Sequence, residues 1–184
     1  MDDFTLDPTL YDGRPADCAG RDAVEIACYD FLDSLGVRYQ RADHSETPSI
    51  EACGAVERML GIEICKNLFL CNRQKTQFTL LLMPGAKPFR TKELSAQLGC
   101  PRLSFADEDH MREYLGVTPG SVSVLGLLND PENRVRLVID RDALAHEYFG
   151  CHPCRNTSSL RIATADLTGR ILPALHHEPT YVSL

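Results

Sequence analysis

Two thiols three positions apart around a histidine, Cys151-His152-Pro153-Cys154, carry the spacing of a dithiol oxidoreductase. That chemistry needs the first cysteine to open a helix, whose N-terminus lowers the thiol pKa. Here Cys154 is followed by Arg155-Asn156-Thr157-Ser158-Ser159 and then Leu160-Arg161-Ile162, a polar turn entering a strand. A redox role is therefore not expected. His176 and His177 are adjacent and far from the cysteine pair, so a zinc site is not expected either, and no metal or other cofactor is implied. The sequence has no G-x-S-x-G elbow, Walker loop or G-x-G-x-x-G fingerprint. Three separated segments remain: Lys66-Asn67-Leu68-Phe69-Leu70, Gly116-Val117-Thr118-Pro119-Gly120-Ser121, and His152-Pro153 followed by Asn156-Thr157. Taken singly, each has a plain reading. Lys66 is a solvated strand end, Gly116 a helix stop and Pro119-Gly120 a turn, and His152 a structural loop residue.

The elements that would position these segments follow from periodicity. Val24, Cys28, Phe31, Leu32 and Leu35 repeat at three- and four-residue steps, one face of a helix that Gly36 stops. Val37 to Ala42 alternates as a short strand, and Thr47-Pro48 opens a helix through Leu60, ended by Gly61. Asn67 to Asn72 and Gln77 to Met83 are apolar, β-prone runs around a polar turn, which predicts a hairpin in the core of a sheet. Helices are expected over Thr91 to Leu98 and Asp107 to Leu115, each closed by glycine, and strands at Val122 to Leu127, Val135 to Ile139 and Ser159 to Ala163. Asp140 to Leu144 suits a helical turn, Thr164 to Leu175 a last helix kinked at Pro173, and Tyr181 to Leu184 an edge strand. The expected class is α+β: a single domain with a mixed, mostly antiparallel central sheet flanked by helices. Residues 1–20 lack periodicity and are expected to form a flexible N-terminal tail or an added arm, with the domain over residues 21–184.

The bulk properties narrow the function. A chain of 184 residues with 43% hydrophobic and 24% charged residues suits one globular domain. No apolar run approaches membrane-spanning length, and the acidic start at Asp2-Asp3 does not read as an export signal, so a cytoplasmic location with reduced thiols is expected. A net charge of −7 argues against a protein that coats nucleic acid. A small footprint on RNA needs a local basic rim, for which Lys66, Arg73, Lys75, Lys87, Arg90 and Lys92 are candidates.

The three segments share their order with Arg102-Leu103-Ser104-Phe105-Ala106, Tyr114 through Ser121, Leu128-Asn129-Asp130 and the closing His177-Glu178-Pro179. Together they resemble the YbaK and prolyl-tRNA-synthetase-associated editing domain family, from about residue 22 to the C-terminus. The likeness is greatest to the freestanding branch that deacylates alanyl-tRNA(Pro). The resemblance implies catalytic roles for Lys66, His152, Gly120 and Ser121, and substrate binding by Asn67, Gly116, Pro119, Asn156 and Thr157. In chemical terms, a lysine suits the terminal phosphate, glycine N–H groups suit an oxyanion, and a histidine suits activation of water. The implied partners are the acceptor end of mischarged tRNA(Pro) and prolyl-tRNA synthetase, with no DNA and no membrane. Such an enzyme answers a physical problem: a pocket sized for proline cannot exclude alanine strongly, so a second, hydrolytic pocket supplies the missing selectivity. Cys65 beside Lys66 and Val124-Leu125 depart from the family pattern, which leaves deacylation of cysteinyl-tRNA(Pro), or a non-catalytic module that binds tRNA or the synthetase, as alternatives.

Overall fold

Glycine stops, hairpin signals and apolar runs resolve into regular elements over residues 4–47 and 50–184, which the computed structural model describes. In chain order these are β1 Leu6–Asp12, α1 Ala23–Ser34, β2 Tyr39–His44, α2 Ile50–Leu60, β3 Lys66–Cys71, β4 Phe78–Met83 and α3 Thr91–Leu98. They continue with β5 Ser104–Phe105, α4 Glu108–Leu115, β6 Val135–Asp140, β7 Tyr148–Cys151, β8 Ser158–Ala163 and β9 Thr180–Val182. The expected Thr47-Pro48 opening of α2 includes Pro48, which lies outside the described residues.

The α+β class holds, with the strands divided between two sheets. β1-β2-β8-β7 is antiparallel throughout. In β5-β3-β4-β6-β9, β3 pairs antiparallel with β4 and β5, while β6 pairs parallel with β4 and β9. The sheets meet just before β3, where the Cys65 N–H donates to the Gly150 carbonyl at 3.1 Å. A Cβ at Gly150 would lie 3.1 Å from the Ile64 Cα and 2.6 Å from the tip of Ile62, so glycine suits this close approach of backbones.

The period of two in the apolar runs assigns each strand face to a core. Leu80 and Leu82 join Phe69, Leu137, Phe149, Leu160 and Ile162 between the sheets, under Cys28, Tyr29 and Leu32 of α1. Leu81 and Met83 face the other way, packing with Leu70, Val138, Val182 and Leu94 of α3. All six residues of β4 are buried because the strand lies between these two cores. Its apolar run, interrupted by Thr79 alone, has the same cause.

Three expectations are corrected, and one strand was not anticipated. The first twenty residues contain β1, registered on β2 with Tyr11 opposite Arg41, so this segment is part of the first sheet rather than a flexible tail. The Arg41 guanidinium lies 4.6 Å from the Tyr11 ring centre, a contact that spans the sequence and leaves no local period. Val124–Asn129 is a 3-10 helix rather than a strand, opened by Ser123, whose Oγ accepts the Leu125 N–H at 3.2 Å. A short buried apolar run has no polar face to reveal its period. β7 has no counterpart in the sequence reading. The last helix is irregular at Leu167–Ile171, a π segment, which precedes Pro173.

Candidate active site

The site is built from three places in the chain that meet beside the junction of the sheets. Lys66, Asn67, Gly120 and His152 all line one cavity of about 570 Å³, together with Cys53, Glu57 and Glu63. Lys66 is the first residue of β3, and its Nζ donates to the Lys87 carbonyl at 2.8 Å. Asn67 is next on the strand and faces the opposite side; its Nδ2 donates to the Cys65 carbonyl at 3.3 Å, while Oδ1 is buried without a donor among the described residues.

Gly120 is placed by a tight turn. Pro119 and Gly120 are its central residues, Gly120 has φ +84°, and the Ser121 N–H donates to the Thr118 carbonyl at 3.0 Å. A type II turn requires this positive φ at its third position, which explains the Pro-Gly order. Among the described residues the Gly120 N–H has no internal partner and remains able to donate to a ligand. The loop is tied to the His152 segment by Arg155, which donates to the Gly116 carbonyl at 3.2 Å and pairs with Asp22 at 2.8 Å.

His152 sits between β7 and β8 with its tautomer fixed. Its Nδ1 lies 2.8 Å from the Ser158 carbonyl, which can only accept, so Nδ1 carries the proton and Nε2 keeps a lone pair. Ser159 Oγ lies 3.3 Å from the same Nδ1 and 2.9 Å from His44 Nε2. His44 Nδ1 in turn meets the Ser45 carbonyl at 2.8 Å. One set of protons satisfies the whole chain: His152 Nδ1–H to the Ser158 carbonyl, Ser159 O–H to His44 Nε2, and His44 Nδ1–H to the Ser45 carbonyl. Burial holds the His152 imidazolium pKa below its usual value despite the Ser158 hydrogen bond, and the nearby His44 lowers it further. Burial likewise lowers the pKa of His44. Both rings are neutral at pH 7.

The remaining residues singled out from sequence lie around this cavity rather than in its lining. Ser121 is 3% exposed, its N–H closes the turn and its Oγ lies 3.5 Å from Thr118 Oγ1, so it is turned into the protein and is not a free donor to substrate. Gly116 ends α4 in the left-handed conformation against Asn129, as a helix stop. Pro119 is an exposed turn residue. Asn156 Oδ1 accepts from Thr47 Oγ1 at 2.6 Å, with its Nδ2 beside Gly120. The Thr157 side chain is exposed, while its carbonyl accepts the His44 N–H at 3.0 Å. Both residues shape the walls instead of lining the cavity. Glu57 and Glu63 went unnoticed in the sequence. Glu57 Oε1 accepts the Ile64 N–H at 2.9 Å and Glu63 Oε1 accepts the Ala86 N–H, which fixes the strand entry and the loop after β4. Cys53 and Glu57, one turn apart on α2, were the available signal.

The cysteine pair lacks the setting of a reactive dithiol. Cys151 and Cys154 are both buried, and burial pushes the Cys151 thiol pKa well up, opposite to what a reactive dithiol needs. Cys154 Sγ lies 3.6 Å from Cys28 Sγ, and both thiols sit in the main core. Among the described residues no group of three metal-binding side chains exists, and no helix is long and apolar enough to cross a membrane.

Residues 44–169 match the model of the aminoacyl-tRNA editing domain. The chain belongs to that family. It is 33% identical over 156 residues to prolyl-tRNA synthetase associated domain-containing protein 1 of Danio rerio, covering 84% of each chain. It is 31% identical over 136 residues to the prolyl-tRNA editing protein ProX of Acetoanaerobium sticklandii, covering 74% of this chain and 83% of the relative. A crystal structure of a candidate trans-editing enzyme for prolyl tRNA synthetase superposes with a TM-score of 0.62 at 16% identity, over 89% of this chain and 98% of that one, which shows the fold to be shared. The matched region spans the Lys66, Gly120 and His152 segments.

Proposed function

We propose that this chain is a trans-editing deacylase that hydrolyses the ester of mischarged alanyl-tRNA(Pro). The observation that carries the reading is the convergence of Lys66, Gly120 and His152 on one cavity, with Nδ1 of His152 committed to the Ser158 carbonyl. The names of the relatives support the tRNA(Pro) part of it. They also support prolyl-tRNA synthetase as the source of the mischarged substrate.

In this mechanism His152 Nε2 takes a proton from water as the water oxygen attacks the ester carbonyl carbon. The Gly120 N–H donates to the oxyanion that forms, while the Ser121 N–H is committed to the turn. The tetrahedral species collapses by breaking the bond from the acyl carbon to the ribose oxygen, which receives the proton from His152. The products are the free amino acid and tRNA. Lys66 holds the negative charge of the terminal nucleotide and so fixes the ester in place. An ester of this kind is already activated, which makes positioning and one proton shuttle a sufficient set of devices.

The test is deacylation of purified alanyl-, cysteinyl- and prolyl-tRNA(Pro). Loss of alanine alone, abolished by Lys66→Ala, is the expected result. Faster loss of cysteine assigns the sibling specificity, and stability of all three esters rejects hydrolysis in favour of a binding module.

A further inference from the structure

The acyl cavity continues along β3 into a second, larger concavity. Lys66 and Leu68 line both, and beyond them a groove of about 1040 Å³ is bounded by Arg73, Arg90, Lys92 and Arg102, with no carboxylate in its lining. In a chain of net charge −7 this is a concentrated patch of the opposite sign. Several cations elsewhere are engaged: Arg21, Arg41, Lys75, Lys87 and Arg155 each hold a carboxylate oxygen within 2.8 Å. Among the groove residues described, Arg90 alone meets a carboxylate, Glu93 at 3.4 Å, in an exposed pair of the kind that contributes little. Lys75 and Lys87, two candidates for a basic rim, are thus removed from it by their partners, and Arg102 is added.

The groove also holds a bare ring. Phe105 is 60% exposed on the two-residue edge strand β5, and its ring contact is with Phe89, edge-on at 6.1 Å and 72°. A solitary exposed phenylalanine needs no explanation. One set among five cations, Lys66, Arg73, Arg90, Lys92 and Arg102, matches the way single strands are held, with bases stacked on aromatic rings and phosphates tracked by basic side chains.

We propose that this groove receives the unpaired 3′ end of an RNA, with a base stacked on Phe105 and the backbone held by Arg73, Arg90, Lys92 and Arg102, so that the terminal nucleotide passes Lys66 into the acyl cavity. The inference rests on the deacylase reading for the identity of the RNA. It explains how an acidic chain handles a polyanion: contact is confined to a few nucleotides.

The experiment is fluorescence anisotropy of the full chain with a labelled RNA hairpin ending in unpaired ACCA, against the same hairpin made blunt. The overhang binds about tenfold tighter or more, Phe105→Ala removes most of that advantage and Phe105→Trp retains it. Arg73→Ala combined with Lys92→Ala lowers the slope of log affinity against log salt by about 1.4, at about 0.7 per lost phosphate contact. Equal binding of blunt and overhung hairpins, or indifference to Phe105→Ala, overturns the proposal. Deacylation assays on the same preparations separate the two readings. Hydrolysis of alanyl-tRNA(Pro) with binding indifferent to the overhang and to Phe105 removes the groove and leaves the deacylase. Phe105-dependent overhang binding without hydrolysis keeps the groove and removes the deacylase.

Discussion

The polar network behind His152 and the groove beside Phe105 use the same residue types to opposite ends. Behind the histidine, Arg21 holds Glu25 at 2.6 Å and Asp43 at 2.5 Å, and Arg41 holds the same Asp43 at 2.6 Å. Tyr29 donates to Glu25 at 2.7 Å and Ser158 Oγ to Asp43 at 3.1 Å, and the Ser158 carbonyl receives the His152 proton. Every charge there is answered from within the protein, so the network fixes geometry and has nothing left to offer a ligand. In the groove Arg73, Lys92 and Arg102 have no such answer among the described residues, and Arg90 meets only Glu93 in an exposed pair. Charge pairing, more than charge itself, separates the part of the site that positions from the part that binds.

The sharpest break is expected at the point where the network ends. His152→Ala removes the proton shuttle and lowers kcat about 10²- to 10⁴-fold, while binding of the overhung hairpin changes little. Single-turnover deacylation and anisotropy on one preparation read both. With the His152 pKa held below 6.5, the neutral ring is the working form, so kcat/KM is flat near pH 7 and falls as pH drops through the lowered pKa. A rate that instead rises on acidification refutes the assignment of His152 as base. The same sign governs stability. His44 and His152 both bind protons less well folded than unfolded, so their contribution is present above about pH 6.5 and is lost as pH falls.

Asp43→Ala breaks the network itself, leaving Arg41, 3% exposed, and Arg21 without their shared carboxylate. Breaking a buried pair on one side typically costs about 3–5 kcal/mol, and with Asp43 and Arg21 about one-fifth exposed the lower end, about 3 kcal/mol, is expected in urea unfolding. A loss below about 1 kcal/mol would mean that the network is solvated and sets no geometry.

The contrast also marks what was legible in the sequence. α1, α3 and α4 announce themselves through local period and a glycine stop, and the β3–β4 hairpin through two apolar runs around a polar turn, and they form as expected. The Pro119-Gly120 turn is equally local. What could not be read was set by partners distant in sequence. β1 exists because β2 offers it an edge, and β7 because Gly150 lets it reach Ile64. Ser121 resembles a site residue until the turn claims its N–H. Lys66, Gly120 and His152 came from the family resemblance rather than from spacing, since each also has an ordinary structural reading. Lys75 and Lys87 look the same as Arg73 and Lys92 in the sequence, yet Asp107 lies 2.5 Å from the first and Asp140 2.7 Å from the second. Pairing across 32 and more residues leaves no local trace.

The smallest stability change is expected at Arg73, and its smallness is what gives it value. Arg73 is exposed in the turn between β3 and β4, with no hydrogen bond, ion pair or ring contact among the described residues. Arg73→Ala should therefore shift unfolding by no more than about 0.5 kcal/mol, as for an ordinary surface substitution. Asp43→Ala and Arg73→Ala thus form a matched pair: one removes a charge that others depend on, the other a charge on which nothing in the fold depends. If Arg73→Ala weakens RNA binding while leaving the urea midpoint unmoved, the arginine serves the ligand. A large loss of stability would show an internal role instead, and would erase the distinction between a paired network that positions and an unpaired groove that binds.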